Sequence, residues 1–298
     1  MKKVLVFIIS IILGLMIVDV AFGFLADWQK KIGLKGDYRP IEYIMKECNE
    51  DVLIMGSSVA LNSFIPSIIE DTLGLSCFNA GANGQTMIYY HTMLNIILKR
   101  YCPKIIVLGL HPSEFKNDKI MRYNILTPYF NSGYKEIDSV IIGDNPYDKY
   151  LLNFNLYRYN TVWFRILLYN FVDEEDVNSN GFIGKEKPAV LPIMSSVIRS
   201  GYVSASKLDL FKDIIQICKN HSIKLLVVTT PSYSHLIGLN SSVECVKEIC
   251  FNNGIRYYDD TELDIFLKHA DWFYDTIHLN IDGAKYYSKI IASRLKDI

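Results

Sequence analysis

The alternation of short apolar segments with amphipathic ones after residue 50 most constrains how this chain can fold. Five segments have the length and composition of strands: residues 52–56, 77–80, 105–110, 223–231 and 255–259. Helical patterns lie at residues 67–72, 87–99, 208–219, 243–253 and 281–295. The segment 105–110 is apolar at nearly every position, as is typical of a strand buried on both faces. This order predicts a flavodoxin-like, three-layer α/β/α fold with a mostly parallel central sheet.

The segment between about residues 116 and 205 interrupts this alternation. It contains an apolar helical pattern at residues 159–171 and a polar stretch at residues 173–187. We interpret it as an insertion, or a cap over the sheet, within a domain that spans residues 26–298.

The first 25 residues differ from the rest of the chain. Lys2 and Lys3 precede an apolar run over residues 4–25, which only Asp19 interrupts. About 22 such residues can span ~30 Å of hydrocarbon as a transmembrane helix. The run is either a cleaved signal peptide or a retained anchor whose N-terminus lies inside, as the two lysines favour. The length of the run favours the anchor, and both alternatives place the globular part outside the cytoplasm.

Charge and cysteine content exclude several classes of function. With 31 basic and 32 acidic residues, the chain lacks the positive surface that nucleic-acid binding requires. The six cysteines form neither a CxxC motif nor a Cys/His metal spacing. Cys77, Cys102 and Cys218 stand in apolar surroundings and are predicted to be buried thiols. We predict no essential disulfide, no metal site and no cofactor.

Three short blocks carry residues that could perform chemistry. Ser57 and Ser58 follow the first strand, where a serine is either a turn residue or a nucleophile at the carboxyl edge of the sheet. The loop "NAGANGQT" follows the second strand, and its glycines allow backbone N–H groups to approach a ligand closely. Asp275 and His278 are three residues apart before the last helix, so the carboxylate could orient the imidazole.

The order of these blocks resembles that of the SGNH/GDSL hydrolase superfamily. "GSS" is similar to the family's Gly-Asp-Ser block, which implies Ser58 rather than Ser57 as the nucleophile. "NAGANGQT" looks like the glycine block, with Gly84 as the backbone oxyanion donor. "DTIHLN" looks like the final block, in which Asp275 and His278 would complete the triad. The resemblance covers residues 50–115 and 205–298 and implies an SGNH hydrolase fold.

One block departs from the family pattern. The family has an oxyanion asparagine after the third strand, but here that strand continues into "HPSEF". Ser113, His111 or Asn83 would have to substitute for it. Three features are similar to those of membrane-anchored relatives of the DltD and AlgJ type. They are a proline followed by an aromatic residue after this strand, a proline at some distance after the serines (Pro66 here), and the N-terminal anchor.

These features lead to two expectations about function. The first is a membrane-anchored serine esterase or O-acyltransferase that acts on an acylated glycan or another ester of the cell envelope. A multi-pass membrane acyltransferase is a candidate partner. The second is a catalytically weakened SGNH-like module that binds glycan or assists such an acyltransferase. A secreted, lipase-like enzyme is a further alternative if the N-terminal segment is cleaved.

Overall fold

The computed structural model of the chain describes residues 1–32, 38–116, 123–143, 145, 147–169, 171, 180–198, 203–237 and 241–298. The chain forms two compact units. Unit 1 comprises residues 1–42 and 122–174, and unit 2 comprises residues 43–121 and 175–298. Part of the polar stretch predicted at residues 173–187 lies outside the described residues. Unit 2 contains the sheet and all the residues predicted to form the site.

Unit 2 is organised around a five-stranded, fully parallel sheet. The described strands of the chain are β1 (Val52–Gly56), β2 (Cys77–Asn79), β3 (Ile105–Leu110), β4 (Ser195–Ile198), β5 (Lys224–Thr229), β6 (Ser234–Ile237) and β7 (Arg256–Asp259). The central sheet has the order β2-β1-β3-β5-β7. Strands β4 and β6 form a separate parallel pair. The predicted three-layer α/β/α fold is confirmed.

Helices cover both faces of this sheet. Unit 2 contains α3 (Ser58–Ser63), α4 (Pro66–Leu73), α5 (Met87–Ile97), α10 (Ala205–Asn220), α11 (Ser241–Asn253), α12 (Asp264–Leu267) and α13 (Ile281–Lys296). Helix α13 packs against α3 and α4 on one face, and α10 packs against α5 on the other. A further helix, α2 (Tyr38–Lys46), crosses the boundary between the two units.

The strand side chains explain why both faces need a cover. Val52 and Ile54 of β1 belong to an apolar cluster with Phe64 and Ile291 from the α3–α13 side. Leu53, which points to the opposite face because side chains alternate along a strand, is also fully buried. A strand that is apolar at every position therefore lies between two helical layers.

Unit 1 is helical in its described part. It contains α1 (Lys2–Ile32), a 3₁₀ helix (Tyr123–Tyr129), α6 (Lys135–Ile142), α7 (Asp148–Leu151), α8 (Asn155–Arg158) and α9 (Trp163–Tyr169). Within α1, residues 2–30 are long and apolar enough to cross a membrane, and only 6% of the most apolar window is buried in the protein.

Two sequence predictions need correction, and one pair of strands was not predicted. The helix predicted at residues 159–171 is shorter, because α9 covers only Trp163–Tyr169. Cys102 is exposed rather than buried, since it lies in the loop between α5 and β3 and not within an element. The pair β4 and β6 was not predicted, because each strand has only four residues and polar side chains interrupt its apolar pattern.

Candidate active site

The turn after β1 places Ser58 at the carboxyl edge of the sheet. The strand ends at Gly56, which has φ of 151° and pairs with Gly109 of β3. A Cβ at Gly56 would lie 2.2 Å from the Gly109 carbonyl oxygen, so only glycine fits this turn. Ser57 is the N-cap residue of α3, and Ser58 is the first residue of that helix. The local fold therefore makes Ser57 a turn residue and leaves Ser58 half-buried at the sheet edge.

Asp275 and His278 occupy one tightly closed loop. A backbone bridge between Phe273 and Leu279, both fully buried, closes the loop at its base. Asp275 Oδ1 accepts hydrogen bonds from the N–H groups of Ile277 and His278, at 2.8 Å each. The side chain of Asp275 thus acts as a local turn-former that also fixes its own position beside the histidine.

A continuous hydrogen-bond chain joins Asp275, His278 and Ser58. The distance between His278 Nδ1 and Asp275 Oδ2 is 2.8 Å, and that between His278 Nε2 and Ser58 Oγ is also 2.8 Å. Because the carboxylate accepts a hydrogen bond from Nδ1–H, the neutral ring leaves Nε2 as an acceptor for the serine hydroxyl. This is the arrangement that a serine nucleophile and its general base require.

The electrostatics of the pair favour an ionised carboxylate. Partial burial of Asp275 works against ionisation, but hydrogen bonds from the His278 ring and from two backbone N–H groups outweigh it. The pKa of Asp275 is therefore below its ordinary value. The side chain of His278 is 18% exposed, so a substrate could reach the site.

The glycine loop lies beside the end of β1. The Ala82 N–H donates to the Gly56 carbonyl at 3.0 Å and fixes the loop there. Gly84 has φ of 66°, in the left-handed region, and its N–H donates no hydrogen bond to the described residues. Asn83 has an exposed side chain, and its carbonyl accepts from Gln85 Nε2 at 3.3 Å. The loop thus offers a backbone N–H at Gly84 near the nucleophile turn.

The residues after β3 form a different structure from the expected asparagine block. His111 Nδ1 accepts a hydrogen bond from the Ser113 N–H at 3.0 Å, so in the neutral ring Nε2 carries the proton. Glu114 is buried, and its carboxylate accepts from the Met87 N–H at 3.0 Å. It thereby caps the start of α5, the helix that follows the glycine loop.

A buried tyrosine connects the nucleophile turn to this region. Tyr90 is almost fully buried near Ser57, and its hydroxyl donates to the Gln85 carbonyl at 2.9 Å. Burial, together with the nearby Glu114 carboxylate, raises the pKa of Tyr90 well above its usual range. The tyrosine is therefore a neutral, fixed hydrogen-bonding group behind the serines.

Asn79 is a positioning residue that sequence reasoning missed. It ends β2 and is fully buried. Its amide donates to the carbonyls of Ala60 at 3.0 Å and Phe64 at 2.8 Å, and its side-chain oxygen accepts from the Gly81 N–H at 3.0 Å. One side chain therefore ties the nucleophile helix to the glycine loop. Its place between an apolar strand and a glycine loop was visible in the sequence, but its partners were not.

A segment of the predicted insertion contacts the elements that follow or contain the three blocks. The Asn180 carbonyl accepts from the Asn79 N–H at 2.8 Å, and the Ile183 carbonyl accepts from Asn62 Nδ2 at 2.7 Å. The Lys185 carbonyl accepts from the Ile281 N–H at 2.9 Å. Residues 180–185 therefore run along the nucleophile helix, the end of β2 and the start of α13.

Other polar residues near the sheet edge have structural roles. Asp260 is buried and paired with Arg294 at 2.9 Å, and it accepts from the Tyr287 hydroxyl at 2.7 Å. Ser232 is buried after β5 and hydrogen-bonds to the Thr261 carbonyl. In the described part of the chain, no group of three or more His, Cys, Asp or Glu side chains is placed to hold a metal ion.

Comparisons with known proteins return structures but no sequence relatives. No protein-family profile and no curated protein matches the chain. A lipase/acylhydrolase from Enterococcus faecalis is similar, with a TM-score of 0.43 and 9% identity over 83% of this chain and 95% of that one. A proposed SGNH hydrolase from Slackia heliotrinireducens gives 0.42 and 9%, over 82% and 97%. An acetyl xylan esterase gives 0.39 and 12%, over 83% and 98%. Because these TM-scores are below 0.5, we base the functional conclusion on the site itself.

Proposed function

We propose that this protein is a membrane-anchored serine esterase or O-acyltransferase of the SGNH/GDSL type. Its substrates would be the ester-linked acyl groups of a cell-envelope or extracellular polysaccharide. The observation that carries the proposal is the hydrogen-bond chain from Asp275 through His278 to Ser58 at the carboxyl edge of a parallel sheet. The order of the three blocks along the chain supports the assignment to this superfamily.

The proposed reaction follows from the placement of these atoms. His278 Nε2 accepts the Ser58 proton while Oγ attacks the acyl carbonyl, which becomes a tetrahedral oxyanion. Collapse of this intermediate breaks the ester C–O bond, and the proton on His278 passes to the departing alcohol. An acyl-serine remains. Asp275 holds the ring in the required tautomer and stabilises the imidazolium that forms.

The oxyanion would be held by backbone donors. We assign this role to the N–H groups of Ser58, at the start of α3, and of Gly84, on the adjacent loop. One such donor contributes about 3 kcal/mol to transition-state stabilisation. Asn83 and His111 are the candidates for a third donor, and the protonated Nε2 of His111 has the hydrogen that this role needs.

Adjacent serines provide a matched test of the nucleophile. Full-length protein in detergent should hydrolyse p-nitrophenyl acetate and should react with a fluorophosphonate probe. Ser58→Ala should abolish labelling and lower kcat by at least about 10³-fold, as loss of a nucleophile does in hydrolytic triads. Ser57→Ala should retain labelling, because Ser57 turns the chain and, in the described structure, His278 hydrogen-bonds to Ser58 and not to Ser57. Full activity in Ser58→Ala would exclude this nucleophile.

The anchor and the polysaccharide substrate rest on different observations. The apolar helix α1 and the lysines at its start favour a retained anchor with the globular part outside the cytoplasm. The resemblance to membrane-anchored relatives supports an envelope glycan as substrate.

One incubation distinguishes ester hydrolysis from acyl transfer. The protein is incubated with O-acetylated polysaccharide and a free sugar acceptor, and the products are analysed by mass spectrometry. Released acetate indicates an esterase, and an acylated acceptor indicates a transferase.

The departure after β3 favours the second candidate function. In place of an asparagine, the chain has His111, Pro112 and Ser113, and the Ser113 N–H is already bonded to His111 Nδ1. A site with a weaker oxyanion hole would bind glycan or assist a multi-pass membrane acyltransferase with little turnover of its own. Absence of both ester hydrolysis and fluorophosphonate labelling in the wild type, together with measurable glycan binding, would favour this function.

A further inference from the structure

Outside α1, the exposed apolar side chains of unit 1 are concentrated in one short segment. Between residues 147 and 171, ten large apolar side chains are exposed, compared with six in the rest of the described chain beyond α1. Nine of these 25 residues are aromatic, whereas aromatic residues make up 13% of the whole chain. A patch of this kind marks an interaction surface, since soluble proteins rarely leave such clusters in water. The exposed aromatic side chains of this segment include Tyr150, Phe154, Trp163, Phe164 and Phe171.

This segment packs directly on α1 through a polar contact. Asp19 of α1 is almost fully buried, and its carboxylate accepts hydrogen bonds from the N–H groups of Asn155 at 3.0 Å and Leu156 at 2.8 Å. It also accepts from Asn155 Nδ2 at 3.1 Å. Helix α8 thus satisfies the acidic group that interrupts the apolar run of α1, a group that would otherwise be costly inside hydrocarbon.

One face of α1 is shaped for this contact. Residues 2–18 are exposed on all sides, and burial begins at Asp19 and continues at Gly23 and Ala26, one helical face. A Cβ at Gly23 would lie 2.4 Å from the Asn155 side chain, so a small residue is needed there. On the other faces Val20, Phe24 and Leu25 remain exposed, so the same stretch of α1 contacts protein on one side and needs an apolar cover on the others.

The depth of this contact in the membrane indicates that lipid covers the exposed faces of α1 and of the segment. If the hydrocarbon begins at residue 4, about 20 helical residues cross its ~30 Å, and it ends near Phe24. Asp19 and its partners then lie about 8 Å inside the hydrocarbon boundary, within the range of ~5–10 Å reached by helices that lie in a membrane interface. Trp163 contacts Phe22, with ring centroids 6.1 Å apart, and thus lies at the level where tryptophan is enriched in membrane proteins.

We propose that residues 147–171 form a second membrane-contacting element, which lies in the leaflet where α1 emerges and inserts the side chains of Phe154, Trp163 and Phe164 among the lipids. The inference rests on the proposed membrane anchoring of α1 and extends it. With only four charged residues in 25, the segment has the composition of an interfacial element rather than of a solvated loop.

The three tryptophans of the chain provide the test. Full-length variants that keep only Trp28, only Trp163 or only Trp272 are made by Trp→Phe substitution and reconstituted into pure-lipid vesicles containing brominated phosphatidylcholine. Trp28 belongs to α1, and Trp272 belongs to unit 2, where it stacks on His269. Trp28 lies about 6 Å beyond the hydrocarbon boundary near Phe24. We therefore expect lipid bromine to quench the fluorescence of Trp163 at least as strongly as that of Trp28, and that of Trp272 several-fold less.

Each other outcome has a definite meaning. Quenching of Trp28 without quenching of Trp163 would overturn the inference and leave the anchor intact, as expected if a membrane protein covered the segment instead of lipid. Absence of quenching at both Trp28 and Trp163 would refute the anchor and the inference together. Equal quenching of Trp163 and Trp272 would also refute a specific contact.

A photoactivatable phospholipid added to the wild-type protein repeats the test without substitutions. Crosslinked peptides should come from residues 147–171 as well as from α1, and crosslinks confined to α1 would overturn the inference.

Discussion

Substitution of Asn79 tests whether one buried amide holds the candidate site together. In Asn79→Ala the carbonyls of Ala60 and Phe64 and the N–H of Gly81 lose a partner in a dry interior. At about 1–2 kcal/mol for each group left unsatisfied, the loss of stability is about 3–6 kcal/mol. For a unit of this size, which melts about 2–4 °C lower per kcal/mol, the melting temperature should fall by about 6–24 °C.

Two further variants make this prediction specific. Asn83→Ala removes the exposed amide from the same loop and should shift the melting temperature by no more than about 2 °C. Asn79→Asp keeps an acceptor for Gly81 but directs a carboxylate at two carbonyl oxygens, so at pH 7 it should melt below Asn79→Ala. The assay is thermal unfolding of the full-length protein in detergent, followed by circular dichroism. If Asn79→Ala unfolds within about 2 °C of the wild type, or if Asn79→Asp is the more stable variant, the positioning role is wrong.

Three other perturbations have outcomes fixed by the structure. Gly56→Ala should reduce stability by more than the ~1 kcal/mol expected for Gly74→Ala. An added Cβ at Gly56 meets the neighbouring strand, whereas a Cβ at Gly74 would face open space. Thermal unfolding of both variants measures the difference. The pKa of Asp275 is lowered, so its contribution to stability is present above the unfolded pKa near 3.9 and is lost as the pH falls through the lower folded value. The difference in melting temperature between the wild type and Asp275→Asn should thus be constant above about pH 5 and shrink below about pH 4; a difference that grows on acidification would contradict this sign. Cys102 is exposed, whereas burial raises the pKa of three other thiols to about 12. Iodoacetamide should therefore alkylate Cys102 in the native protein much faster than those thiols, as measured by peptide mass spectrometry. Equal rates would contradict their burial. Those thiols are Cys48, Cys218 and Cys250.

The parts of the fold that the sequence predicted well are those governed by local pattern. The bounds of β1 and β3 matched the apolar runs, because both strands are buried on both faces and every residue carries the signal. The start of α13 at Ile281 was also predictable, since Asn280 is a strong N-cap residue whose side chain accepts from the N–H groups of Asp282 and Gly283.

The parts that could not be predicted depend on distant partners. The sequence predicts Asn79 within the second strand but not its positioning role, because its hydrogen-bond acceptors belong to a segment about 15 to 19 residues earlier in the chain. Asp19 looked like an interruption of an apolar run, and its partners at Asn155 and Leu156 lie more than 130 residues away. The hydrogen bonds that Asn180, Ile183 and Lys185 accept have no local pattern, since backbone carbonyls accept them.

The two halves of the candidate site lie far apart in the chain. Asp275 and His278 share one closed loop, whereas Ser58 and the glycine loop belong to the part of unit 2 before residue 122. A protein cut between residues 143 and 147 would yield one fragment with the serine and another with the acid–base pair. Under the proposed mechanism neither fragment could form an acyl-enzyme, so recovered ester hydrolysis would report reassembly of the two fragments. The chain is therefore a candidate split reporter for contacts at a membrane surface.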